Sequence, residues 1–395
     1  MRQVRVRLGA HEGYDIEIGA GALGRLGGAA RGVLSPRARR VVVVSNERVF
    51  GLYGERARAS LVAAGYAVET WLAGDGERHK TLRTAERALD FFAARGLERT
   101  DAVVALGGGV VGDLAGFAAA LYLRGVDFIQ VPTTLLAQID ASVGGKTGVN
   151  TRAGKNLTGV FHQPRAVLID TDTLWTLPPR ELTAGFCEAV KHGAVGGRPL
   201  FARTRDFLAA RAAGGRDRPG DDSDSGGDEG GGEGDDALAR LIADHCAFKA
   251  RIVAGDEREA VGRTDARSRR ILNFGHTVGH ALEAVTHYRR FRHGEAVGHG
   301  LAVAAEISNR LGLLDVSGLE SLREAIALAG PLPRADDLDP AEILRAAASD
   351  KKSAGGEINW VLLEKIGRAR VVAGREVPRR LLRASLKAGL ARRRA

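Results

Sequence analysis

The stretch AVVALGGGVVGDLAGFAAALY, Ala102–Tyr122, joins an apolar run to three glycines and then to a helical pattern of small residues. An apolar run such as Ala102–Leu106 is typical of a parallel strand that is covered on both faces. Glycines after a strand let the backbone approach a ligand closely, and the start of the next helix favours a phosphate. The stretch therefore predicts a strand, a ligand-binding turn and a helix.

The residues before this stretch show the same alternation of strand and helix. VRVRL and YDIEI predict a hairpin, and Val41–Val44 predicts another buried strand. Leu52–Ala64 and Thr81–Ala94 are helical in pattern, with a strand over Ala67–Leu72 between them. Such alternation predicts an α/β domain with a parallel sheet.

The glycines also satisfy G-x-G-x-x-G at Gly107, Gly109 and Gly112. This spacing between a strand and a helix is the pattern of a dinucleotide-binding turn. It departs from that pattern in not following the first strand, and no acidic residue plainly ends the next strand. A tight turn without a ligand is the alternative.

Two segments rich in glycine and lysine follow, 126–150 and 153–164. A strand is predicted to end at Pro132, and Lys146 and Lys155 are predicted to lie in loops bounded by glycine. A helix is expected between the end of this strand and Lys146, and it carries three polar residues: Thr133, Thr134 and Asp140. GGKT lacks the first glycine of a phosphate loop, so a P-loop NTPase is excluded, and lysines beside pliable backbone favour an anion.

A proline-marked boundary near Pro178–Arg180 follows the last strand, predicted within Ala166–Glu181. Beyond it the pattern is helical, so we predict an α/β domain over 1–179 and a helical domain over 180–395. The acidic stretch 214–236 is of low complexity and devoid of apolar residues, so it is expected to be a disordered insertion between two helices of the second domain. It lacks the ligand register of a calcium loop.

The helical domain contains a candidate metal site. In Ile271–Glu295, a helix from His276 places His276, His280 and Glu283 on one stripe, and His293 and Glu295 follow in a predicted loop. Such nitrogen and carboxylate groups bind divalent cations. A pair of histidines at the surface or the edge of the core is the alternative.

Glu188 and Lys191 share one face of an upstream helix. They form either a surface ion pair or a metal-binding carboxylate next to a substrate-binding cation. A basic pair, Lys351 and Lys352, precedes two short runs that predict a small hairpin.

Composition excludes other classes. The net charge of +10 comes with scattered Lys and Arg, an Arg-rich C-terminus and 5% aromatic residues, without a nucleic-acid-binding motif. No apolar run is long enough to span a membrane, no signal peptide is evident, and the expected location is cytoplasmic. Cys187 and Cys246 form no C-x-x-C pattern, so buried or idle thiols are expected.

Taken together, the motifs resemble the 3-dehydroquinate synthase family. The matching segments are GDGERHKT (74–81), the whole of 107–150, GKNLTGVFHQP (154–164), LPPRELTAGFCEAVKHG (177–193), FKARIVAGDERE (248–259), LNFGHTVGHALE (272–283), HGEAVGHGLAVAAEIS (293–308) and DKK (350–352). The resemblance implies a Rossmann-like domain that holds NAD, an all-α domain that holds a divalent metal, an active site between them, and a homodimer.

The resemblance also implies residue roles. Zinc or cobalt is held by Glu188, His276 and His293, so that His280 turns to the phosphate. The phosphate pocket comprises Lys146, Asn156, His280, Lys351 or Lys352, and Arg124 from the other subunit. The substrate carboxylate and hydroxyls are bound by Arg269, Asn273, Lys249 and Lys191, oriented by Asp140. NAD is bound by Asn46, Glu77, Lys80, Gly107, Gly108, Gly109, Asp113, Thr133, Thr134, Lys146 and Lys155.

The implied reaction converts 3-deoxy-D-arabino-heptulosonate 7-phosphate to 3-dehydroquinate and phosphate, in the shikimate pathway. It runs through NAD-mediated transient oxidation, phosphate elimination, re-reduction and aldol closure. The sequence departs from the family in its acidic insertion and in the extra residues AVGRTDARS before Arg269, where Arg267 or Arg270 are alternatives. The rival functions are another sugar phosphate cyclase, such as 2-deoxy-scyllo-inosose synthase, and a metal-dependent polyol dehydrogenase.

Overall fold

The computed structural model describes residues 1–9, 13–152, 154–214, 232–260, 263, 265, 268–350 and 358–391. Two compact units are formed. The first comprises Met1–Leu177 and the described part of Arg218–Ala254, and the second comprises the described parts of Pro178–Asp217 and Gly255–Ala395. The chain therefore returns to the first unit after it has entered the second.

The strands, in chain order, are β1 (Arg2–Val6), β2 (Tyr14–Gly19), β3 (Arg40–Asn46), β4 (Ala67–Ala73), β5 (Ala102–Gly107), β6 (Asp127–Pro132), β7 (Lys146–Thr151), β8 (Gly154–Phe161), β9 (Ala166–Asp170), β10 (Asn359–Lys365) and β11 (Arg368–Ala373). Seven of them form one sheet in the order β1-β2-β9-β6-β5-β3-β4. The β1–β2 pair is antiparallel, which confirms the predicted hairpin, and the other neighbours in this sheet are parallel.

The helices are α1 (Leu26–Val33), α2 (Glu47–Ala63), α3 (Leu82–Ala94), α4 (Gly109–Leu121), α5 (Pro179–Gly196), α6 (Arg198–Ala212), α7 (Gly232–Gly255), α8 (His276–Val285), α9 (His293–Arg310), α10 (Val316–Ala329), α11 (Pro340–Asp350) and α12 (Arg379–Leu390). Among the described helices, none is long and apolar enough to cross a membrane. The predicted α/β class of the first domain and the mainly helical class of the second are confirmed.

The valine run of β3 explains why the sheet lies in the middle of the first unit. Val41 and Val43 pack with side chains of α1 and α2, whereas Val42 and Val44 pack with side chains of α3 and α4. Since successive side chains of a strand point to opposite faces, an uninterrupted apolar run requires helices on both faces.

The second unit depends on glycines where its helices meet. A Cβ on Gly300 would lie 2.0 Å from the carbonyl oxygen of Gly275, and one on Gly294 would lie 2.0 Å from that of Ala184. Only glycine fits at such distances, so α9 can pack closely against both α8 and α5. The antiparallel hairpin β10–β11 adds the short strands that were predicted near the C-terminus.

Two predicted features fall partly or wholly outside the described residues. Positions 215–231 of the acidic stretch 214–236 lie outside the described residues. The end of that stretch is helical, since α7 begins at Gly232. The predicted insertion is therefore too long at this end. Lys351 and Lys352 also lie outside the described residues.

Candidate active site

The glycine turn lies where the order of the sheet reverses. The chain leaves β3 for β4 on one side and comes back to β5 on the other, so β3 and β5 are neighbours. The two strands end at Asn46 and Gly107. Just before these ends, Ser45 Oγ donates a hydrogen bond to the carbonyl oxygen of Leu106 (2.8 Å) and so links the strands. Ligands of open α/β sheets bind in the crevice at such a switch point.

The turn between β5 and α4 is shorter than the sequence pattern predicted. Gly108 is the residue that precedes α4, and α4 begins at Gly109 rather than after Asp113. A Cβ on Gly108 would lie 3.1 Å from Thr134 Cγ2, and one on Gly112 would lie 2.9 Å from Gln130 Oε1. The glycines thus bring the start of a helix, with its N–H groups, close to the end of β6.

Thr133 and Thr134 lie beside this turn. They were predicted to lie in a helix, but they precede it. The backbone N–H of Thr133 donates to the carbonyl oxygen of Gly107 (3.0 Å), which extends the pairing of β5 and β6 by one residue. Thr134 Oγ1 accepts from the N–H of Ala137 (3.2 Å). The helix forms after Thr134 because this hydroxyl caps its first turn.

Asn46 and Glu77 are held by local polar contacts. Asn46 Oδ1 caps α2 by accepting from the N–H of Val49 (2.8 Å), and its Nδ2 donates to Asp75 Oδ1 (3.2 Å). Glu77, which begins a short 3-10 helix, accepts at Oε1 from Asn150 Nδ2 (2.7 Å). Both residues predicted to bind NAD are therefore preorganised within the first unit.

Lys80 is buried and bridges two predicted site residues. Its Nζ lies 2.5 Å from Asp113 Oδ2 and 2.6 Å from Asn156 Oδ1. Burial raises the pKa of Asp113, and the adjacent ammonium group of Lys80 opposes that rise. We call these residues, with Glu77 and Asn150, the Lys80 network.

Lys146 and Lys155 occupy strands rather than the loops that were predicted. Lys146 begins β7 and Lys155 is the second residue of β8, in an antiparallel hairpin. The flanking glycines suggested flexible loops, but Gly148 and Gly159 allow the two strands to approach closely. A Cβ on Gly159 would lie 2.3 Å from the carbonyl oxygen of Thr147.

Arg124 is exposed at a corner with unusual backbone geometry. Leu123 (φ 49°) and Arg124 (φ 67°) are both left-handed, a conformation that is uncommon for residues other than glycine. Such strain persists where the surrounding structure holds it and is often found at functional positions.

Asp140 and Lys249 are paired in the first unit. Asp140 lies in the π-helical turn Ala137–Ala141, and Lys249 lies on α7. Lys249 Nζ contacts Asp140 Oδ1 and also the carbonyl oxygen of Asp140 (2.5 Å). A π-turn is rare and is frequently found at functional sites.

The candidate metal centre is in the second unit. Glu188 Oε1, on α5, lies 3.8 Å from His276 Nε2 and 3.6 Å from His293 Nε2. The side chain of Glu188 is completely buried, and Oε1 has no hydrogen-bond donor within the described part of the chain. A buried carboxylate oxygen that faces two imidazole nitrogens is a suitable donor set for a divalent cation, so the three residues predicted as ligands fit one.

The same centre contains His280 and Lys191. One nitrogen from each of His276, His280 and His293 lies within 4.8 Å of the others, so geometry alone also admits a cluster of three histidines. Lys191 Nζ lies 2.5 Å from Glu188 Oε2, and both side chains are buried. The pair is therefore not the surface ion pair that was the alternative.

His293 and Glu295 differ from expectation. His293 is the first residue of α9, not part of a loop, because Glu295 accepts from the N–H of Arg292 (2.7 Å) and so caps the helix. The two carboxylate oxygens of Glu295 also accept from Arg180 at 2.7 and 2.6 Å. Glu295 was considered as a possible ligand, and the structure instead pairs its carboxylate with Arg180.

Glu283, which was predicted only to share the stripe of His276 and His280, is a further functional candidate. Its side chain is buried, and Oε2 lies 3.1 Å from His293 Nδ1. A carboxylate that accepts from one imidazole nitrogen leaves the other available to a metal. The i+7 spacing from His276 was the signal for it.

Arg269 is buried and anchored, which favours the predicted register. Its backbone N–H donates to Asp256 Oδ2 (2.9 Å), and Nη1 donates to the carbonyl oxygen of Glu257 (2.7 Å). Burial alone would raise the pKa of Asp256, but the N–H groups of Ala260 and Arg269 lower it overall. Arg270 is only half-buried and Arg267 is outside the described residues, while Asn273, which ends the same 3-10 helix, is exposed.

Both cysteines are buried and unpaired, as expected. Burial raises the pKa of Cys187 well above its ordinary value and that of Cys246 to about 12. Neither thiol is suited to act as a nucleophile.

The chain matches two family models, described as 3-dehydroquinate synthase N-terminal over residues 70–184 and 3-dehydroquinate synthase C-terminal over residues 185–353. It is 45% identical over 375 residues to a 3-dehydroquinate synthase of Pelotomaculum thermopropionicum. The aligned residues cover 95% of this chain and 94% of the relative. It is 44% identical over 383 residues to that of Halorhodospira halophila, with 96% and 98% covered.

Solved structures give the same picture of the fold. A 2-epi-5-epi-valiolone synthase from Streptomyces hygroscopicus with NAD+ and Zn2+ bound is 29% identical, with a TM-score of 0.77 over 97% of this chain and 98% of that one. A glycerol dehydrogenase from Schizosaccharomyces pombe, 16% identical with a TM-score of 0.62 over 95% and 88%, shares the fold alone. Identity over nearly the whole chain, with both family models matched in order, shows that this chain belongs to the 3-dehydroquinate synthase family.

Proposed function

We propose that this chain converts 3-deoxy-D-arabino-heptulosonate 7-phosphate to 3-dehydroquinate and inorganic phosphate. The observation that carries the proposal is the buried carboxylate of Glu188, which faces His276 and His293 and is paired with Lys191. Membership of the 3-dehydroquinate synthase family supports it, and the rival functions have no comparable support.

Zinc or cobalt fits the second unit at Glu188, His276 and His293. Two neutral imidazoles and one carboxylate are a donor set that leaves an open position, which is the form of a catalytic site. The bound ion supplies positive charge that favours loss of a proton from a substrate hydroxyl. The solved valiolone synthase, which contains Zn2+ and NAD+, supports both cofactors.

NAD fits the switch point of the first unit. The cradle is formed by the close turn Gly107–Gly109 and the start of α4, where an added Cβ would meet Thr134. We assign NAD binding to Asn46, Glu77, Lys80, Gly107, Gly108, Gly109, Asp113, Thr133, Thr134, Lys146 and Lys155. The cofactor supplies a hydride acceptor that is regenerated in each turnover.

The chain's own charged residues bind and orient the substrate. In the first unit, Lys146 and Asn156 are assigned to the phosphate, and the Asp140–Lys249 pair to a hydroxyl, where Lys249 can donate a hydrogen bond and Asp140 can accept one. In the second unit, His280 is assigned to the phosphate, and Arg269, Asn273 and Lys191 are assigned to the carboxylate and hydroxyls. Fixed cations around a phosphate and a carboxylate stabilise the charge that develops on the leaving group.

A homodimer is part of the proposal, with Arg124 reaching the phosphate of the other subunit. In support, Arg124 is exposed and is preceded by Leu121 and Leu123, both exposed. Exposed apolar side chains next to a strained, charged corner suit a protein contact. Participation of Lys351 or Lys352 and a cytoplasmic location remain predictions from the sequence.

One assay tests the function. Purified protein given the heptulosonate phosphate, a trace of NAD and zinc should release phosphate while no NADH accumulates at 340 nm. Absence of phosphate release would overturn the proposal. Net NADH formation with glycerol would instead identify a polyol dehydrogenase.

A further inference from the structure

The hairpin β7–β8 contains two irregularities that the assigned roles do not explain. The register of the two strands shifts between Val149 and Thr151, so Asn150 lies at a bulge. Asn156, across the hairpin, is left-handed with φ 54°. Bulges turn side chains out of the regular ladder and are common beside active sites.

The side chain of Asn150 joins these irregularities to the segment that carries Glu77. Its Oδ1 accepts from the backbone N–H of Asn156 (3.0 Å), and its Nδ2 donates to Glu77 Oε1 (2.7 Å). A backbone N–H can only donate and a carboxylate can only accept, so these two partners fix the orientation of the amide.

Two further bonds close the connection around Lys80. The backbone N–H of Asn150 donates to the carbonyl oxygen of Lys80 (2.8 Å), and Lys80 Nζ donates to Asn156 Oδ1 (2.6 Å). Because Asn156 Oδ1 receives the lysine, the part of this amide that is presented to an anion is Nδ2, a donor. The orientation of Asn156 therefore depends on both Lys80 and Asn150.

We propose that Asn150 is a positioning residue that couples the cofactor-binding segment at Glu77 to the phosphate-binding turn at Asn156. The inference rests on the proposed function, in which Glu77 and Lys80 hold NAD and Asn156 binds the substrate phosphate. Asn150 acts through these two residues, because it holds the side chain of Glu77 and the backbone of Asn156 in the geometry that each ligand needs.

A double-mutant cycle of Asn150→Asp and Glu77→Gln tests the coupling. Asn150→Asp keeps the acceptor for the N–H of Asn156 but removes the donor to Glu77 and sets two carboxylates against each other. Titration by NADH fluorescence should show binding weakened about tenfold, with a higher KM for the heptulosonate phosphate. In the Glu77→Gln background the new glutamine amide can donate to the new carboxylate, so Asn150→Asp should cost less than about twofold there.

Two results would overturn the proposal: NADH affinity of Asn150→Asp equal to that of the wild type, or an equal loss in both backgrounds. Asn150→Ser serves if Asn150→Asp does not fold, because its shorter side chain removes the donor to Glu77 without placing a second carboxylate beside it. It should weaken NADH binding while the melting temperature stays within about 2 °C of the wild type. A wild-type protein that binds NADH but releases no phosphate contradicts the proposed function, whereas the NADH cycle still decides the role of Asn150.

Discussion

The metal centre of the second unit and the Lys80 network of the first both hold buried charge, but they are assembled differently. At the metal centre, His276, His280 and His293 come from one short stretch, and Glu188 is the single distant member. In the Lys80 network, Glu77, Lys80, Asp113, Asn150 and Asn156 come from a 3-10 turn, a helix and a hairpin, and they satisfy one another directly.

The difference has a consequence for each region. Glu188 Oε1 has no hydrogen-bond donor in the described part of the chain and faces His276 and His293, so the metal centre is arranged for a cation. The Lys80 network is satisfied by its own side chains and can hold its shape before a ligand arrives. Loss of one residue should therefore abolish chemistry at the metal centre. In the network it should weaken the positioning of ligands, and it should also lower stability where a buried charge loses its partner.

Glu188→Gln should have the largest effect. The amide is nearly isosteric but lacks the charge of the carboxylate, so the metal is lost and Lys191 loses the carboxylate that it contacts. We expect kcat/KM to fall about 1,000-fold or more, which is about 4 kcal/mol of transition-state stabilisation. Metal analysis of the purified variant should show less than one tenth of the wild-type content.

Glu342→Gln is the matched control, because Glu342 is on α11 with a largely exposed side chain and a loose contact to Arg345 of 3.7 Å. It removes the same charge from the same unit and should leave the metal content unchanged. Full metal content in Glu188→Gln would show that the three histidines alone hold the ion.

Lys80→Met tests the Lys80 network and should have the next largest effect. Removal of the ammonium group leaves Asp113 without its cation, and breaking such a pair costs about 3 kcal/mol of unfolding free energy. Burial already raises the pKa of Asp113, so the folded state holds its proton more tightly than the unfolded state does. The cost should therefore be larger at about pH 8 than at about pH 5, because protonation of Asp113 at lower pH removes the negative charge that has lost its cation.

Urea unfolding without NAD at the two pH values measures this dependence. Lys365→Met, at an exposed position on β10, is the control and should change stability little at either pH. A pH-independent loss in Lys80→Met would mean that packing of the lysine stem, rather than the charge of Asp113, stabilises the network.

The same contrast explains what could be predicted from the sequence. The uninterrupted apolar run Val41–Val44 indicates a buried strand, and the i+4 spacing of His276 and His280 indicates a helix. Both elements were predicted correctly because their patterns are local. Lys146 and Lys155 were assigned to loops because glycines flank them. They lie instead in two strands whose close pairing depends on Gly148 and Gly159. Local pattern cannot separate these uses of glycine.

Tertiary contacts set a further limit. Nothing in the spacing relates Asp256 to Arg269 or Asn150 to Glu77, because each pair is joined only by a side-chain bond formed after folding. The link from Glu188 to the histidines came from the resemblance alone, since three residues on separate helices have no common period. Such residues are found from hydrogen-bond partners rather than from sequence pattern.

Glu283→Gln should have the smallest of the three effects. The glutamine oxygen can still accept from His293 Nδ1, but the loss of negative charge makes the imidazole a weaker ligand. We expect affinity for zinc to fall about tenfold, at the lower end of what loss of such a partner costs. Competition with a chromophoric chelator at constant pH measures it without recourse to activity.

Glu324→Gln on α10 provides the comparison, because this carboxylate is exposed and distant in sequence from the histidines. If Glu283→Gln binds zinc as tightly as Glu324→Gln does, then His293 is oriented by α9 itself. In that case the capping of α9 by Glu295 would place the ligand, and the metal centre would depend on backbone geometry where the Lys80 network depends on side-chain bonds.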